Sequence, residues 1–284
     1  MEMLTPGSVR ALLTESGIRP KKSLGQHFLA DPNSARRVAT LAEVQSGDHV
    51  LEIGPGLGSL TLALLERGAR VRALELDATL ARVLQTVLDA AVGRDSDAVD
   101  VRVGDACTVD LSELLAESPE WSCVSNLPYN VAVPVVVRLL EEAPAVTRIV
   151  VMVQREVGER LAARPGGKEY GAVSVKVAYY AEASLIGSVP PTVFVPRPNV
   201  ESILVRLRRR TATPVSVPSE PEFFALVRGG FAQRRKMLRS ALRPLLGERA
   251  TEVLECAGVA PTARAESLGL EEWAALARCA AVAA

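Results

Sequence analysis

"HVLEIGPGLGSLTLALLERGARVRALELD", residues 49–77, decides the architecture. A short apolar run through Val50, Leu51 and Ile53 meets alternating glycines at Gly54, Gly56 and Gly58. A helix-length apolar stretch follows and stops at Gly68, and a second short apolar run ends in the acids Glu75 and Asp77. Strand, glycine turn, helix and strand make one βαβ unit, and such units build a parallel sheet with helices on both faces. The alternation continues downstream: "ATLARVLQTVLDAAVG" reads as a helix, "VDVRVGDA", "SCVSN" and "RIVVMVQ" as strands, and "PVVVRLLEEA" as a helix between the last two. Upstream, "PGSVRALLTESG" reads as a helix, and the Asp-Pro-Asn-Ser segment that begins at Asp31 caps another. Past residue 170 the alternation stops, and "SVKVAYYAEASLIGSVPPTVFVPRPNVESILVRLRRR" reads as two strands around a proline-rich loop, an antiparallel addition. Thr211 to Pro221 reads as a linker, and the rest as a small helical unit. The expected division is an α/β domain over 1–212 with an N-terminal helical extension, and a small all-α domain over 213–284.

Composition narrows the function classes. Of 284 residues, 48% are hydrophobic, enough for a substantial core, and the formal net charge is zero, so no overall field draws the chain to nucleic acid. The charge is nonetheless uneven. "RGGFAQRRKMLRSALR", Arg228 to Arg243, holds six basic residues and no acidic one, and "RLRRR" spans Arg206 to Arg210. The apolar runs all fall short of the roughly 18 to 20 residues of a membrane helix, and the start carries no charged and then apolar leader pattern. A cytoplasmic protein is expected. Cys107, Cys123, Cys256 and Cys279 are far apart and lack CxxC pairing, so reduced core thiols are expected and no metal site.

Four strand ends carry the chemistry. Glycines after the first strand let the backbone turn tightly and a ligand come close. Their GxGxG spacing departs from the dinucleotide fingerprint GxGxxG and is more typical of S-adenosylmethionine (SAM) enzymes, whose ligand has no pyrophosphate to cradle. Glu75, ending the next strand, can accept hydrogen bonds from both ribose hydroxyls, as in nicotinamide and SAM enzymes alike. Asp77 reads as the cap of the following helix. Asp105 in "VGDA" can accept from an adenine amine. "SNLPYN", 125–130, ends the fourth strand with groups suited to a flat polar ring. An adenine exocyclic nitrogen shares its lone pair with the ring and is a poor nucleophile. The Asn126 side-chain oxygen and the Leu127 or Pro128 carbonyl can accept both of its hydrogens and turn the lone pair toward a methyl group. Tyr129 can stack on the base, and proline stiffens the loop. This is catalysis by positioning and preorganisation, without a general base.

"KKSLGQHFL", "EIGPGLGSLT", "LELD", "GDA", "SNLPYN", "MVQREVGERL" and "VFVPRPNVES" occur in this order, and over about residues 20 to 284 the chain resembles the ribosomal RNA adenine N6,N6-dimethyltransferases, most of all their bacterial small-subunit type. The resemblance implies a Rossmann-like SAM-dependent methyltransferase sheet, mostly parallel, with the small all-α domain appended. It implies that His27, Leu29, Gly54, Glu75, Asp105 and Asn126 contact SAM, and that Asn126, Pro128 and Tyr129 hold the target adenine, with Phe194 stacked on its other face. It also implies the substrate: two adjacent adenines in the 3′-terminal hairpin of 16S rRNA, in the 30S subunit or its precursor, with a role in subunit biogenesis. The family usually has Asn where this chain has His27. A neutral imidazole can replace one hydrogen bond, and a protonated one would oppose a cationic ligand at low pH.

The target base must leave its stack, so the backbone needs a grip of its own. Arg234, Arg235 and Lys236 are the expected RNA contacts, with Lys21, Lys22 and the Arg206 to Arg210 run as helpers. Gly166 and Gly167 beside Lys168 read as a mobile loop near the site. The rival readings are a large-subunit adenine methyltransferase of the macrolide-resistance type, which commonly has NIPY where this chain has NLPY; a non-catalytic ribosome-assembly factor; and a nicotinamide dehydrogenase, which has no use for NLPY. Nothing suggests an obligate oligomer, and a monomer is expected.

Overall fold

The structure, a computed structural model, describes residues 1–20, 25–128 and 130–282. Strands are numbered in chain order: β1 Phe28–Leu29, β2 His49–Ile53, β3 Arg70–Glu75, β4 Val99–Val103, β5 Trp121–Asn126, β6 Val146–Gln154, β7 Ala181–Val189, β8 Phe194–Val195 and β9 Ser202–Arg209. Among the described residues, seven form one sheet in the order β4-β3-β2-β5-β6-β9-β7, and β1 pairs with β8 apart from it. The pairs from β4 to β6 are parallel, with Ile53 beside Leu74 and Leu51 beside Cys123. β9 runs antiparallel to β6, with Arg148 beside Arg208. The mostly parallel sheet with an antiparallel addition is the expected one.

The chain lays down β2, β3 and β4 toward one edge, then returns to place β5 and β6 on the other side of β2. The order therefore reverses between β2 and β5, and in open α/β sheets the crevice beyond the strand ends at that reversal is where ligands bind. β2 is buried along Val50 to Ile53, as parallel strands covered on both faces are. The helix Ser59–Glu66 is buried all round from Ser59 to Leu65, which explains why it lacks a polar stripe. Asp31 caps the helix Pro32–Leu41 through the Ser34 N–H at 2.7 Å. Asp77 caps Ala78–Val92 through the Thr79 N–H at 2.8 Å. Both aspartates do what the sequence predicts.

The described residues divide into two compact units: 1–158 with 184–209, and 159–183 with 210–284. The first holds the nucleotide-type sheet. The second includes a segment that precedes the expected boundary at 212, because "SVKVAYY" folds otherwise than expected. Ala172–Tyr180 is a helix, and only from Ala181 does the chain extend. Tyr179 and Tyr180 pack against Phe223 and Phe224 of the helix Glu220–Ala232, with ring centroids 5.3 and 5.9 Å apart for the Phe224 pairs. Aromatic packing outweighs the strand preference of the β-branched residues. Trp273, fully buried, comes so close to Gly230 that a Cβ there would lie 2.4 Å from its ring.

Three further expectations change. Cys256 and Cys279 are not free thiols: the helices Ala250–Cys256 and Leu270–Val282 pack together, bring their Cα atoms to 6.1 Å, and the two cysteines form a disulfide. Cys107 and Cys123 are free. The Gly166–Gly167 stretch is tied down, with the Gly166 N–H donating to the Glu266 carbonyl at 2.7 Å. The "RLRRR" run is largely consumed within the fold. Arg206 and Arg208 both pair with Glu43, Arg209 donates to the carbonyls of Leu139, Leu140, Ala143 and Val146, and Arg210 pairs with Glu182 at 2.9 Å. Among the described residues no helix is long and apolar enough to cross a membrane.

Candidate active site

A cavity of about 480 Å³ opens at the carboxyl ends of β2, β3 and β5. That volume lies in the range of sites for nucleoside-sized ligands. Gly54, Gly56 and Gly58 all adopt left-handed backbone conformations, with φ of 69°, 59° and 95°. The turn is what brings the pieces of the site together. A Cβ on Gly54 would lie 3.4 Å from the Pro128 ring, and one on Gly56 would lie 2.9 Å from the Phe28 ring. At Gly54 the left-handed conformation favours glycine, and at Gly56 only glycine has both the conformation and the clearance. The Gly56 N–H donates to Glu75 Oε2 at 3.1 Å, and the Asp77 N–H donates to Glu75 Oε1, also at 3.1 Å. Glu75 is thus buried, at 6% exposure, with both oxygens engaged and aimed. Burial raises its pKa above the ordinary carboxylate value, while the backbone N–H groups of Asp77 and Gly56 hold it back.

Asn126 ends β5 on the opposite wall. Its amide nitrogen donates to the His27 carbonyl at 3.2 Å, which fixes the amide orientation and makes Oδ1 the acceptor face. The Pro128 carbonyl accepts from the Val131 N–H at 3.1 Å as the chain enters the helix Ala132–Glu142. Of the two backbone acceptors the sequence suggests, the Leu127 carbonyl is therefore the less committed. Ser125 supports the wall from behind by accepting the Ile53 N–H at 2.9 Å. The His27 ring turns its Nδ1–H to the Pro196 carbonyl at 2.8 Å, which leaves Nε2 as the other polar atom of the ring. Leu29 is held by Ser59, whose hydroxyl donates to the Leu29 carbonyl.

His27, Leu29, Gly54, Glu75, Asn126 and Pro128 all line this one cavity. Asp105 and Phe194 do not. Asp105 is exposed beyond β4, and its Oδ1 accepts the Cys107 N–H at 2.8 Å, a turn cap. Phe194 is 3% exposed, buried in the core beneath β1 and paired through its backbone with Leu29. Tyr129, Lys21 and Lys22 lie outside the described residues. Among the lining residues that the sequence does not single out is Glu52, which is 1% exposed. Its signal is an acid inside a strand otherwise buried on both faces, two residues before the glycine turn.

The lining also suits SAM. Among the described residues it contains Glu52, Glu75 and Asp77 but no Lys or Arg, so it offers acids to a ligand that brings positive charge. Glu75 is placed as a diol acceptor would be, and the glycine turn leaves room for close approach. Among the described residues, no three His, Cys, Asp or Glu side chains converge as metal ligands would.

In the helical unit, Arg234 donates to the carbonyls of Lys168 and Tyr170, both at 2.9 Å, and lies 3.7 Å from Glu266. It ties down the 168–170 segment. Arg235 and Lys236 are exposed in the turn after Glu220–Ala232 and, with Arg228 and Arg239, have no side-chain partner among the described residues.

Comparison with known proteins places these features in a family. The profile described as ribosomal RNA adenine dimethylase matches residues 17–281. Ribosomal RNA small subunit methyltransferase A of Thermobifida fusca is 49% identical over 278 residues, covering 97% of this chain and 95% of that one. The fold is that of a dimethyladenosine transferase from Plasmodium falciparum, with a TM-score of 0.73 at 23% identity over 88% of this chain and 96% of the other. The 23S rRNA methyltransferase ErmE gives a TM-score of 0.65 at 26% identity, covering 89% and 98%.

Proposed function

The chain belongs to the ribosomal RNA adenine dimethylase family, and from that premise we propose that its substrate is a pair of adjacent adenines in the 3′-terminal hairpin (helix 45) of 16S rRNA, in the 30S subunit or its precursor. The family activity, SAM-dependent dimethylation of adenine in ribosomal RNA, is this protein's. The small-subunit assignment is supported by the 49% identity to a small subunit methyltransferase. We place the enzyme in the cytoplasm, as a monomer, with a role in subunit biogenesis.

The observation that carries the mechanism is that the Gly54 turn and the Asn126–Pro128 wall line one acid-lined cavity. Bound SAM supplies a methyl group already made electrophilic by the sulfonium. The protein's residues do the rest. Glu75 takes the ribose hydroxyls, and the glycine turn sets the depth. Asn126 Oδ1 and the Leu127 carbonyl accept the two amine hydrogens and bias the nitrogen toward a tetrahedral shape with its lone pair directed at the methyl. Pro128 holds the wall against Gly54, and Tyr129 stacks on the base. Phe194, buried and paired through its backbone with Leu29, supports β1. Arg235 and Lys236, joined by Arg228 and Arg239, hold the RNA backbone, while Arg234 acts by positioning the 168–170 segment.

Mapping methylated adenines in rRNA from cells with and without this protein tests the assignment. Loss of two adjacent dimethyladenines near the 16S 3′ end is expected. Loss of a 23S modification instead selects the macrolide-resistance reading, and unchanged rRNA selects the assembly-factor reading.

A further inference from the structure

Glu52 and Glu75 are both buried acids of this cavity, but only Glu75 has its oxygens satisfied. Glu52 is 1% exposed, lines the cavity, and its Oε2 has no hydrogen-bond partner. The Thr61 hydroxyl on the helix Ser59–Glu66 likewise has no partner of good geometry. An unpaired buried carboxylate is costly, and a proton is the ordinary way to relieve it. Burial pushes Glu52 up to about 8, Thr61 works against the shift, and the charge of Glu75 adds to it. The other titratable groups around it are Cys123 on β5, itself pushed up to about 12 by burial with Glu52 contributing, and Asp77 and His27 in the cavity lining. No Lys or Arg belongs to that lining among the described residues. Among the described residues the cavity thus holds a spare acidic oxygen and no Lys or Arg to pair with it.

We propose that Glu52 distinguishes the methyl donor from the spent product, accompanying the donor as a carboxylate and the product as a carboxylic acid. This rests on the reading that SAM occupies the cavity. Donor and product share their adenosine and amino-acid ends, so the difference Glu52 senses is the single sulfonium charge. Transfer breaks the S–CH₃ bond, forms N–CH₃, leaves a neutral thioether and releases the amine proton to solvent. The charge in the cavity falls by one, Glu52 takes a proton back from solvent, and the attraction that held the donor is gone when the product must leave.

Calorimetric titration of SAM and of S-adenosylhomocysteine in buffers of different ionisation enthalpy counts the protons. Near pH 7, about one proton is expected to leave per SAM bound and markedly fewer per S-adenosylhomocysteine. The sign follows from the raised acid: free Glu52 is protonated below about pH 8, so SAM affinity rises with pH up to that point and then levels off. Glu52→Gln, which mimics the protonated form in shape, is expected to abolish the difference in proton count and to lower the preference for SAM over product by about tenfold. Equal proton counts for the two ligands in the wild type overturn the inference, a test that needs no variant. Unchanged proton release in Glu52→Gln overturns it as well, since the proton then comes from another group. Binding of neither ligand overturns the donor site itself, and this inference with it.

Discussion

The rim of the sheet and the basic turn of the helical unit keep their charges in opposite ways. At the rim, Glu52 and Glu75 are acids buried to 1% and 6% exposure, held by a scaffold whose contacts span 25–131 in sequence. In the helical unit, Arg235 and Lys236 are adjacent in sequence, exposed and unpaired among the described residues. Burial makes a charge strong, short-ranged and selective for one small ligand; exposure leaves it weak, additive and sensitive to salt. The Arg206 to Arg210 run shows that charge alone predicts neither behaviour, because Glu43, Glu182 and helix-end carbonyls neutralise it in place.

The comparison is most directly broken at the rim. Asn126→Ala removes the proposed acceptor of the amine hydrogens, and methyl transfer is expected to fall roughly 10²- to 10³-fold, read by single-turnover transfer to undermethylated 30S subunits. A loss confined to KM would instead mean that Asn126 only binds. Glu75→Ala removes both the proposed diol acceptor and the partner of the Gly56 N–H, so SAM affinity is expected to drop roughly 10- to 100-fold by calorimetry, with RNA affinity unchanged.

The exposed side predicts a different signature. Arg235→Ala with Lys236→Ala should weaken rRNA binding about equally across sequences and reduce the slope of log affinity against log salt by about two. SAM binding should not change. Arg206→Ala with Arg208→Ala is the contrast: the salt slope should hold while thermal stability falls, because these arginines are committed to Glu43. A flattened slope in that variant would erase the distinction drawn between the two basic runs. Smallest is the stability effect of Glu52→Gln in the ligand-free protein. A raised carboxyl stabilises the fold only while protonated, so wild-type stability declines as pH rises from about 4.5 to about 8. The variant should therefore melt several degrees higher at pH 8 and nearly equally at pH 5.

Much of this was legible in sequence where local pattern and tertiary role coincide. The glycine turn after "HVLEI" announced its own conformation, Asp31 and Asp77 announced their helices, and the four strand ends fell on one rim because parallel sheets put them there. Legibility failed where a distant partner decides. "SVKVAYY" has strand-like residues, but Phe223 and Phe224, more than forty positions on, make it a helix. Cys256 and Cys279 look unrelated until two helices pack. Phe194 is buried beside β1 and Asp105 caps a turn through one carboxylate oxygen, placements that the motifs around them do not announce. Glu52 was hidden in plain view, since a lone acid in a strand reads as a solvated position until its burial is known.

A crystal structure with SAM bound tests the central claim most directly. The account predicts the ribose hydroxyls on Glu75 and the sulfonium methyl directed at the Asn126–Pro128 wall, with Asn126 Oδ1 open to an incoming amine. A methyl group pointing away from that wall, or SAM bound elsewhere than over the Gly54 turn, would contradict it.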